Sequence, residues 1–375
     1  MATSDPREPP HVVVIGGGIV GASVAWHLAS QDANVTIVAE HLGGVATPNS
    51  FAWINAATSD KTYYDFRIRS IQRWHEINQR LPQLPIHWSG SLTFDKPSAE
   101  LQKYLDEHAS WGYDVARAER DELASIEPLL DEAQLPDWAM RAAQEGAMEA
   151  EEVARQLMDN ARLEFGARVI EARVMGFAKN SDGSVGGVLI ASADGQYIKA
   201  DHVVLAGGLG SVPLLAAENV RLPVTGRDGL LINTRPVVDP TTPLLNTLYN
   251  GNELHMRRTA GGRIRAGKDY AGGDTGGDPG NAAAELFAKV QKAFKPGEPG
   301  AELEYDYYTI GVRPDPEDGL PILGATGLRG LSCAVMHSGV TNAALVGDLL
   351  TKHILTGATD PYLVTYGLSR FSTEL

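Results

Sequence analysis

The chain of 375 residues contains a single cysteine, Cys333, and has fewer basic than acidic residues. One cysteine cannot form an internal disulfide, which favours a reducing cytoplasm as its location. The 32 lysines and arginines stand against 47 aspartates and glutamates, so the formal net charge is −15. Because such a charge repels phosphate backbones and anionic lipid surfaces, we expect neither nucleic acid nor a membrane as a partner.

The sequence also lacks a convincing membrane or targeting segment. The stretch 9–31 carries no formal charge, but it contains three consecutive glycines. Before it, Arg7 lies between Asp5 and Glu8, so there is no basic region of the kind that precedes a signal sequence. Residues 1–8 are polar and proline-bearing, and we predict a disordered tail there. With 43% hydrophobic residues, the remainder is long enough for two domains that share a core.

What the sequence does contain is a glycine motif near its start. The apolar run 11–15 predicts a buried parallel strand, and Gly16, Gly18 and Gly21 fit the pattern G-x-G-x-x-G where a helix begins. Gly16 would permit the tight turn, Gly18 the approach of a pyrophosphate, and Gly21 close packing of helix on strand. Glu40 ends a second strand, 34–39, where a carboxylate can accept hydrogen bonds from a ribose. The pattern indicates a dinucleotide-binding unit, with an ordinary βαβ unit as the alternative.

Further along the chain, patterns of apolar residues predict alternating helices and strands. Helices are predicted at 63–80, 99–112, 151–164 and 339–355, and strands at 168–177, 185–191 and 201–206. A second glycine turn follows at 206–210. Strand-like segments at 82–94, 229–234, 253–258 and 262–266 are grouped into one antiparallel sheet. The segment 268–281 is either a surface loop or an active-site lid.

Four signatures, spread over nearly the whole chain, resemble the FAD-dependent amine oxidoreductases. That family includes D-amino acid oxidase, glycine oxidase and monomeric sarcosine oxidase, and the resemblance is closest to glycine oxidase. The signatures are VIGGGIVGASVAWHL with Glu40, HVVLAGGLGS, ELHMRRTAGGRIRAG, and GVRPDPEDGLPILG followed by MHSGVTNAALVGDLL. The resemblance implies an α/β fold in which a Rossmann-like FAD-binding domain (9–80, 145–215 and 309–375) carries a second, antiparallel-sheet substrate domain (81–144 and 216–308). It also implies FAD in place of NAD.

Positions that match the family motifs are expected to bind the cofactor. Val174 matches a position whose backbone contacts the adenine, or it is an ordinary strand valine. The loop with Thr47 is expected beside the isoalloxazine, and the helix that starts at Gly339 is expected to point its N-terminus at the pyrimidine edge. The full set implied is Gly16, Gly18, Ile19, Val20, Gly21, Glu40, Gly43, Gly44, Thr47, Val174, Gly207, Gly208, Arg313, Gly339, Val340 and Thr341.

The resemblance also implies a substrate site. Arg313 matches the family arginine that binds the substrate carboxylate in a bidentate pair, with a structural salt bridge as the alternative. His255 stands where a tyrosine is common and either donates to that carboxylate or is a satisfied strand histidine. His337 lies in a turn expected beside the flavin. Arg265 is near the place of an oxygen-activating lysine in some relatives, although a solvated strand residue is the preferred interpretation.

Two further positions concern the attachment of the flavin. Relatives with covalent flavin use a cysteine two residues before the position of Arg313, where this chain has Gly311. Cys333 is in a different strand and is expected to be a small buried apolar residue. We therefore expect noncovalent FAD, and no metal.

The expected reaction is oxidation of the Cα–N bond of a glycine-type amino acid or an N-substituted, N-carboxymethyl glycine. Hydride would pass to the flavin, the imine would hydrolyse to an oxo acid and an amine, and dioxygen would be reduced to hydrogen peroxide. Three alternatives stay open: a D-amino acid or sarcosine oxidase, a dehydrogenase that uses a quinone or protein acceptor, and a flavoprotein in which FAD is only structural.

Overall fold

A computed structural model describes residues 9–191, 196–237, 244–268, 277–297 and 302–372. The predicted tail at 1–8 and most of the predicted loop at 268–281 lie outside these ranges. The strands are β1 (His11–Ile15), β2 (Asn34–Ala39), β3 (Trp53–Ile54), β4 (Ile86–His87), β5 (Ser91–Phe94), β6 (Val115–Glu119), β7 (Trp138–Ala142), β8 (Gly146–Met148), β9 (Arg168–Glu171), β10 (Val174–Lys179), β11 (Val185–Ile190), β12 (Tyr197–Lys199), β13 (His202–Leu205), β14 (Val224–Thr234), β15 (Leu248–Gly251), β16 (Leu254–Arg258), β17 (Ile264–Gly267), β18 (Tyr305–Pro316), β19 (Ile322–Ala325) and β20 (Leu331–Val335). The α-helices are α1 (Ile19–Ala29), α2 (Lys61–Arg80), α3 (Ser98–Ser110), α4 (Arg120–Ile126), α5 (Ala150–Phe165), α6 (Ser211–Ala216), α7 (Pro279–Ala293), α8 (Gly339–Thr356) and α9 (Pro361–Thr365).

A six-stranded sheet forms the centre of the cofactor half of the molecule. Its strand order is β19-β20-β13-β1-β2-β9. The central strand β1 pairs in parallel with β2 and β13, and β13 pairs in parallel with β20, whereas β19 runs antiparallel to β20. The predicted strands at 11–15 and 34–39 have these bounds in the structure. Because the parallel strands end at one edge, the loops that follow them come together there.

Both faces of this sheet are buried, as its apolar strands predict. Alternate side chains of β1 enter different cores: Val12 and Val14 pack with the helices α1, α2, α5 and α8, whereas Val13 and Ile15 pack towards β10, β11 and β12. Helix α1 lies between the sheet and the helices α5 and α8, with nearly every side chain buried. Its lack of charge therefore results from burial inside the protein. Within the described ranges no helix is both long and apolar enough to cross a bilayer, and a cytoplasmic location stays a prediction.

An eight-stranded sheet forms the other half, in the order β18-β14-β17-β16-β15-β5-β7-β6. The prediction of one antiparallel sheet is wrong in two respects. Strand β5 pairs with β15 in parallel, and β4 pairs with β8 in a small separate sheet. The joined segments are far apart in sequence, so no hairpin turn sets their direction. Strand β18 runs without a break across position 309, where the domain boundary is predicted, and the boundaries themselves stay predictions.

The predicted strand at 168–177 divides into two. Strand β9 pairs with β2 in the six-stranded sheet, and β10 forms a hairpin with β11 around the predicted turn at 180–183. Between them, the Ala172 backbone N–H donates to the carbonyl of Ala39 at 3.0 Å, which ties the break to the end of β2. This break brings Val174 to the edge of the sheet where Glu40 lies.

Candidate cofactor and substrate site

The glycine turn after β1 is closely packed on its neighbours. Gly16 has a φ of +116°, a region that favours glycine, and a Cβ there would overlap the carbonyl of Ala206 after β13. A Cβ on Gly21 would overlap the carbonyl of Gly16. Gly18 precedes α1 and offers no side-chain cap. The N-terminus of α1 is therefore held against the ends of β1 and β13. Its partial positive charge points away from the helix, towards the space beyond these two strand ends.

The loop after β2 folds over this turn. Thr47 accepts a hydrogen bond at Oγ1 from the backbone N–H of Ile19, with a distance of 3.1 Å between the two atoms. Gly44, at a φ of +80°, approaches Gly18 so closely that a Cβ would lie 2.7 Å from its Cα. Gly43 turns away, because a Cβ on it would lie 2.7 Å from Cγ of Glu151 in α5. The loop thus covers the glycine turn with Gly44 and Thr47.

A cavity of about 1120 Å³ extends from the glycine turn to Arg313. It is lined by all of the predicted cofactor residues except Gly21, which packs against Gly16, and Gly43, which faces α5. Glu40 lies at the cavity wall with its side chain 54% exposed and Oε2 4.0 Å from Nε of Arg173. Val174 also lines the wall and is nearly buried.

The lining fits an extended dinucleotide such as FAD. Two helices, α1 and α8, begin at the cavity, and neither has a side-chain cap from the residue before it. Helix N-termini of this kind favour anionic groups. Gly207 and Gly208 add a second turn without Cβ atoms at the wall, after β13. The volume exceeds the roughly 300–1,000 Å³ of ordinary small-molecule sites, which leaves room for a substrate beside the cofactor.

Arg313 of β18 and His255 of β16 both line this cavity, and β14 and β17 lie between their strands in the eight-stranded sheet. Arg313 stands on β18 opposite Arg227 of β14. Two positions away on β14, a Cβ on Gly229 would lie 3.5 Å from Cζ of Arg313, so the missing side chain makes room for the guanidinium. Burial, and next the charge of Arg313, lower the pKa of His255 to about 3. The His255 ring stands edge to face with Phe51, with ring centres 4.5 Å apart.

His337 follows β20 and belongs to the same group. Its Nδ1 lies 2.9 Å from Oγ of Ser338, in the turn that starts α8. Burial lowers its pKa to about 4, followed by the charges of Arg313 and Arg67. The three predicted catalytic residues therefore line one cavity. Both imidazoles are neutral at pH 7, which leaves the guanidinium as the positive charge among them.

Sequence reasoning missed other groups in the cavity wall, first among them Arg67. This arginine of α2 is 6% exposed, and it donates from Nε and Nη2 to the backbone carbonyl and Oδ1 of Asn55 at 2.8 and 2.6 Å. A signal for it exists in the sequence. Tyr63, Arg67, Ser70 and Trp74 share one face of α2, so the arginine interrupts a buried face.

Glu145 is a second missed group. It is 2% exposed and accepts hydrogen bonds from Nε1 of Trp53, at 2.7 Å, and from the hydroxyl of Tyr113. Burial raises the pKa of Glu145. The residue lies before β8 in an unremarkable polar stretch, so nothing local in the sequence marks it.

The interpretation of Arg265 as a solvated strand residue is wrong. Its side chain lines a second cavity of about 380 Å³, and Nε donates to Oδ1 of Asn233 at 3.0 Å while Nη1 donates to the carbonyl of Ser50 at 3.1 Å. Burial lowers its pKa. Strand β17 lies inside the sheet between β14 and β16, and Pro48 and Ser50 of the loop after β2 lie beside the Arg265 side chain. The oxygen-activating role stays untested.

The two positions that bear on flavin attachment are also clear. A Cβ on Gly311 would lie 2.7 Å from Cβ of Asn49, so the strand passes too close to the loop for a larger residue. Cys333 is fully buried in β20 and does not line the cavity, as expected for a small apolar residue. Burial raises the pKa of its thiol to about 12, which disfavours the reactive thiolate.

Comparison with known proteins gives a consistent result. Residues 11–353 match the DAO family, described as FAD dependent oxidoreductase. Glycine oxidase of Bacillus licheniformis is 26% identical over 93% of this chain and 94% of its own length. The bifunctional protein ThiO/ThiG of a Nostoc species is 25% identical over 96% of this chain, which spans only 55% of that protein. The crystal structure of glycine oxidase from Geobacillus kaustophilus shares the fold, with a TM-score of 0.80 at 22% identity over 97% of this chain and all of that one. The family match covers most of the sequence, and the chain therefore belongs to the family of FAD-dependent oxidoreductases.

Proposed function

We propose that the protein is an oxidase of small amine carboxylates that binds FAD noncovalently. The substrate is a glycine-type amino acid or an N-substituted glycine, and dioxygen is the electron acceptor. The observation that carries the proposal is Arg313, a guanidinium in the cavity beside the buried His255 and the half-buried His337, which are both neutral at pH 7. A carboxylate that enters the cavity meets this charge, and a bidentate pair of hydrogen bonds matches its geometry.

The sheet supports the orientation that such binding requires. Strand β18 pairs with β14 from Val224 opposite Pro316 to Thr234 opposite Tyr305, so the position of Arg313 is set by a long ladder on one side. The His255 ring packs against Phe51. A carboxylate held at Arg313 would therefore leave the α-carbon and the nitrogen with little freedom, which is the contribution that orientation makes to catalysis.

The cavity also acts on the substrate nitrogen. An ammonium group is disfavoured there, because burial lowers the pKa of a bound amine. The site therefore favours the free amine, whose lone pair is needed for oxidation at the α-carbon. FAD bound along the glycine turns would supply the two-electron acceptor, and the product imine would hydrolyse to an oxo acid and an amine.

An anaerobic amine panel tests this function. Purified holoenzyme is mixed without oxygen with glycine, sarcosine and D-alanine, and with methylamine and ethylamine as partners that lack the carboxylate. We expect loss of flavin absorbance near about 450 nm with the carboxylates only. Admission of air should then restore the absorbance with one equivalent of hydrogen peroxide. If none of the carboxylates bleaches the flavin, the proposal fails; bleaching without peroxide in air would instead identify a dehydrogenase that needs another acceptor.

A further inference from the structure

Arg67 is a buried cation whose side-chain hydrogen bonds go to a neutral residue. Its Nε and Nη2 donors are used by one residue, Asn55, through a carbonyl and an amide oxygen. The guanidinium also lies over the ring of Tyr63, with 5.3 Å between Cζ and the ring centre. In the part of the chain that the structure describes, no carboxylate lies within 4.0 Å of it and Nη1 donates to no protein atom. A buried charge normally has an ionic partner.

The acids that share the cavity are engaged with other groups. Glu145 accepts from Trp53 and Tyr113. Asp95 forms an ion pair with Lys96 at 3.4 Å. Glu40 lies beside Arg173, on the part of the wall formed by the end of β2. Glu145 lies within electrostatic reach of Arg67, but no described carboxylate forms a direct ion pair with this guanidinium, so an anion that enters the cavity can bind it.

Arg67 and Arg313 approach the cavity from different elements. Arg67 comes from α2 in the cofactor half, and Arg313 comes from β18 in the eight-stranded sheet, yet both line the same cavity. His337 lies within the electrostatic reach of both, since each contributes to lowering its pKa. One cavity therefore contains two guanidinium groups, both within electrostatic reach of His337.

We propose that Arg67 binds a second carboxylate of the substrate, which makes the preferred substrate an amine that carries a carboxylate on each side of its nitrogen. This inference rests on the proposed function, in which Arg313 binds the first carboxylate. An arginine suits the role because its planar fork keeps donors available after two are bound to Asn55, and a carboxylate accepts in that plane. In this arrangement the amine nitrogen lies between the two ion pairs.

Two probes that differ in one charge test the proposal. Iminodiacetate carries both carboxylates, and its monoamide replaces one of them by a neutral group of the same shape. Wild type, Arg67→Gln, Arg67→Lys and Arg69→Gln are compared by kcat/KM under air-saturated conditions. Arg69 is a matched control, because it lies on the same helix but is exposed and pairs with Asp360 at 3.5 Å.

We expect Arg67→Gln to lower kcat/KM for iminodiacetate by about 30-fold or more, as loss of one partner of a buried charge pair does. The kcat/KM for the monoamide should change by less than about 3-fold, because only a neutral hydrogen bond is lost with this probe. Arg67→Lys should retain part of the preference, and Arg69→Gln all of it. An equal loss on both probes would show that Arg67 only supports Asn55, and a wild-type enzyme that prefers the monoamide would also overturn the inference.

A binding measurement separates this inference from the proposed function. Thiodiacetate has sulfur in place of the nitrogen and cannot form the imine, so its Kd can be measured from the change in the flavin spectrum. We expect Arg67→Gln to raise that Kd by a factor similar to the kinetic loss, with FAD content and Tm measured alongside. If thiodiacetate binds wild type and Arg67→Gln equally while sarcosine is oxidised, the inference fails and the proposed function stands. If no amine carboxylate reduces the flavin, the function fails first.

Discussion

Oγ1 of Thr47 accepts a hydrogen bond from the backbone N–H of Ile19, the first residue of α1, at 3.1 Å. The glycine before this helix has no side chain to cap it, so a residue from the next loop performs the task. The bond joins the loop at 41–50 to the glycine turn, and both line the cofactor cavity. The hydrogen bond from Ile19 to Thr47 therefore helps to hold this loop in place.

Thr47→Val should weaken FAD binding. The substitution keeps the shape of the side chain but removes the acceptor, which typically costs about 1 kcal/mol, or roughly a 5-fold higher Kd. Thr47→Ser should keep the hydrogen bond and bind FAD within about 2-fold of wild type. The Kd can be measured by titrating apoprotein and following flavin fluorescence. Equal affinities for the valine and serine variants would show that the bond does not support the cofactor site.

Arg313→Ala should abolish most of the turnover of amine carboxylates without loss of FAD. Removal of one partner from a desolvated charge pair costs roughly 2–5 kcal/mol, or about 30-fold to several thousand-fold in kcat/KM. Arg313→Lys should recover part of the activity, because an ammonium lacks the planar two-point contact. Arg227→Ala is the matched control, since Arg227 lies opposite on β14 but pairs with Asp315 at 3.2 Å and is half exposed. Equal losses for amines with and without a carboxylate would make Arg313 structural.

Acid precipitation should release the flavin into the supernatant. The linking position of some relatives is Gly311, which lies against Asn49, and the thiol of Cys333 is buried away from the cavity. Cys333→Ala should release the same amount of flavin as wild type, measured from absorbance after removal of the pellet. Yellow colour that stays in the washed pellet would contradict noncovalent binding, and its loss in Cys333→Ala would identify the attachment site.

The stability of the fold should fall as the pH drops from about 6.5 towards 3, in part because of His27. This buried histidine of α1 donates from Nδ1 to the carbonyl of Ser23 at 2.8 Å and accepts at Nε2 from Arg73 at 3.1 Å. Burial, and next the charge of Arg73, lower its pKa to about 3. Between these pH values the unfolded chain binds the proton and the folded chain does not, so His27 alone removes about 1.4 kcal/mol of unfolding free energy per pH unit.

Urea unfolding at several pH values measures this dependence. His27→Gln should give a shallower slope than wild type over that range, although its stability at pH 7 is lower because a buried contact is lost. His87→Gln is the control, because it makes the same substitution at an exposed position on β4. An unchanged slope in His27→Gln would show that His27 does not titrate in this way.

Local signals account for the parts of the fold that sequence analysis predicts well. The bounds of β1 and β2 follow from short apolar runs that end at glycines or an acid, and such signals act over a few residues. The parallel pairing of β5 with β15 has no local signal, because the partners meet only after the whole sheet assembles. The same holds for Arg265, whose burial depends on the loop at 48–51.

The candidate site divides in the same way. Fourteen predicted cofactor positions line one cavity, and most of them lie in or beside turns whose glycines mark them in the sequence, whereas Val174 and Arg313 lie in strands. Glu145 is an ordinary acid in the sequence, and only the fold brings Trp53 and Tyr113 to it. Arg67 is an intermediate case, since a charge on a buried helix face can be recognised but its surroundings cannot. Sequence patterns do not show which residue lies across a cavity from another.

The order of strands in the six-stranded sheet has a consequence for synthesis of the protein. The central strand β1 lies next to β13, and β13 lies next to β20, which begins at Leu331. A ribosome that adds about 5–20 residues per second therefore needs roughly 15–60 s between the first and the last of these strands. During that time the glycine turn has been made but the walls that face it have not. The complete FAD site therefore exists only after β20 has been made, whereas β1 can pair with β2 as soon as residue 39 has been added.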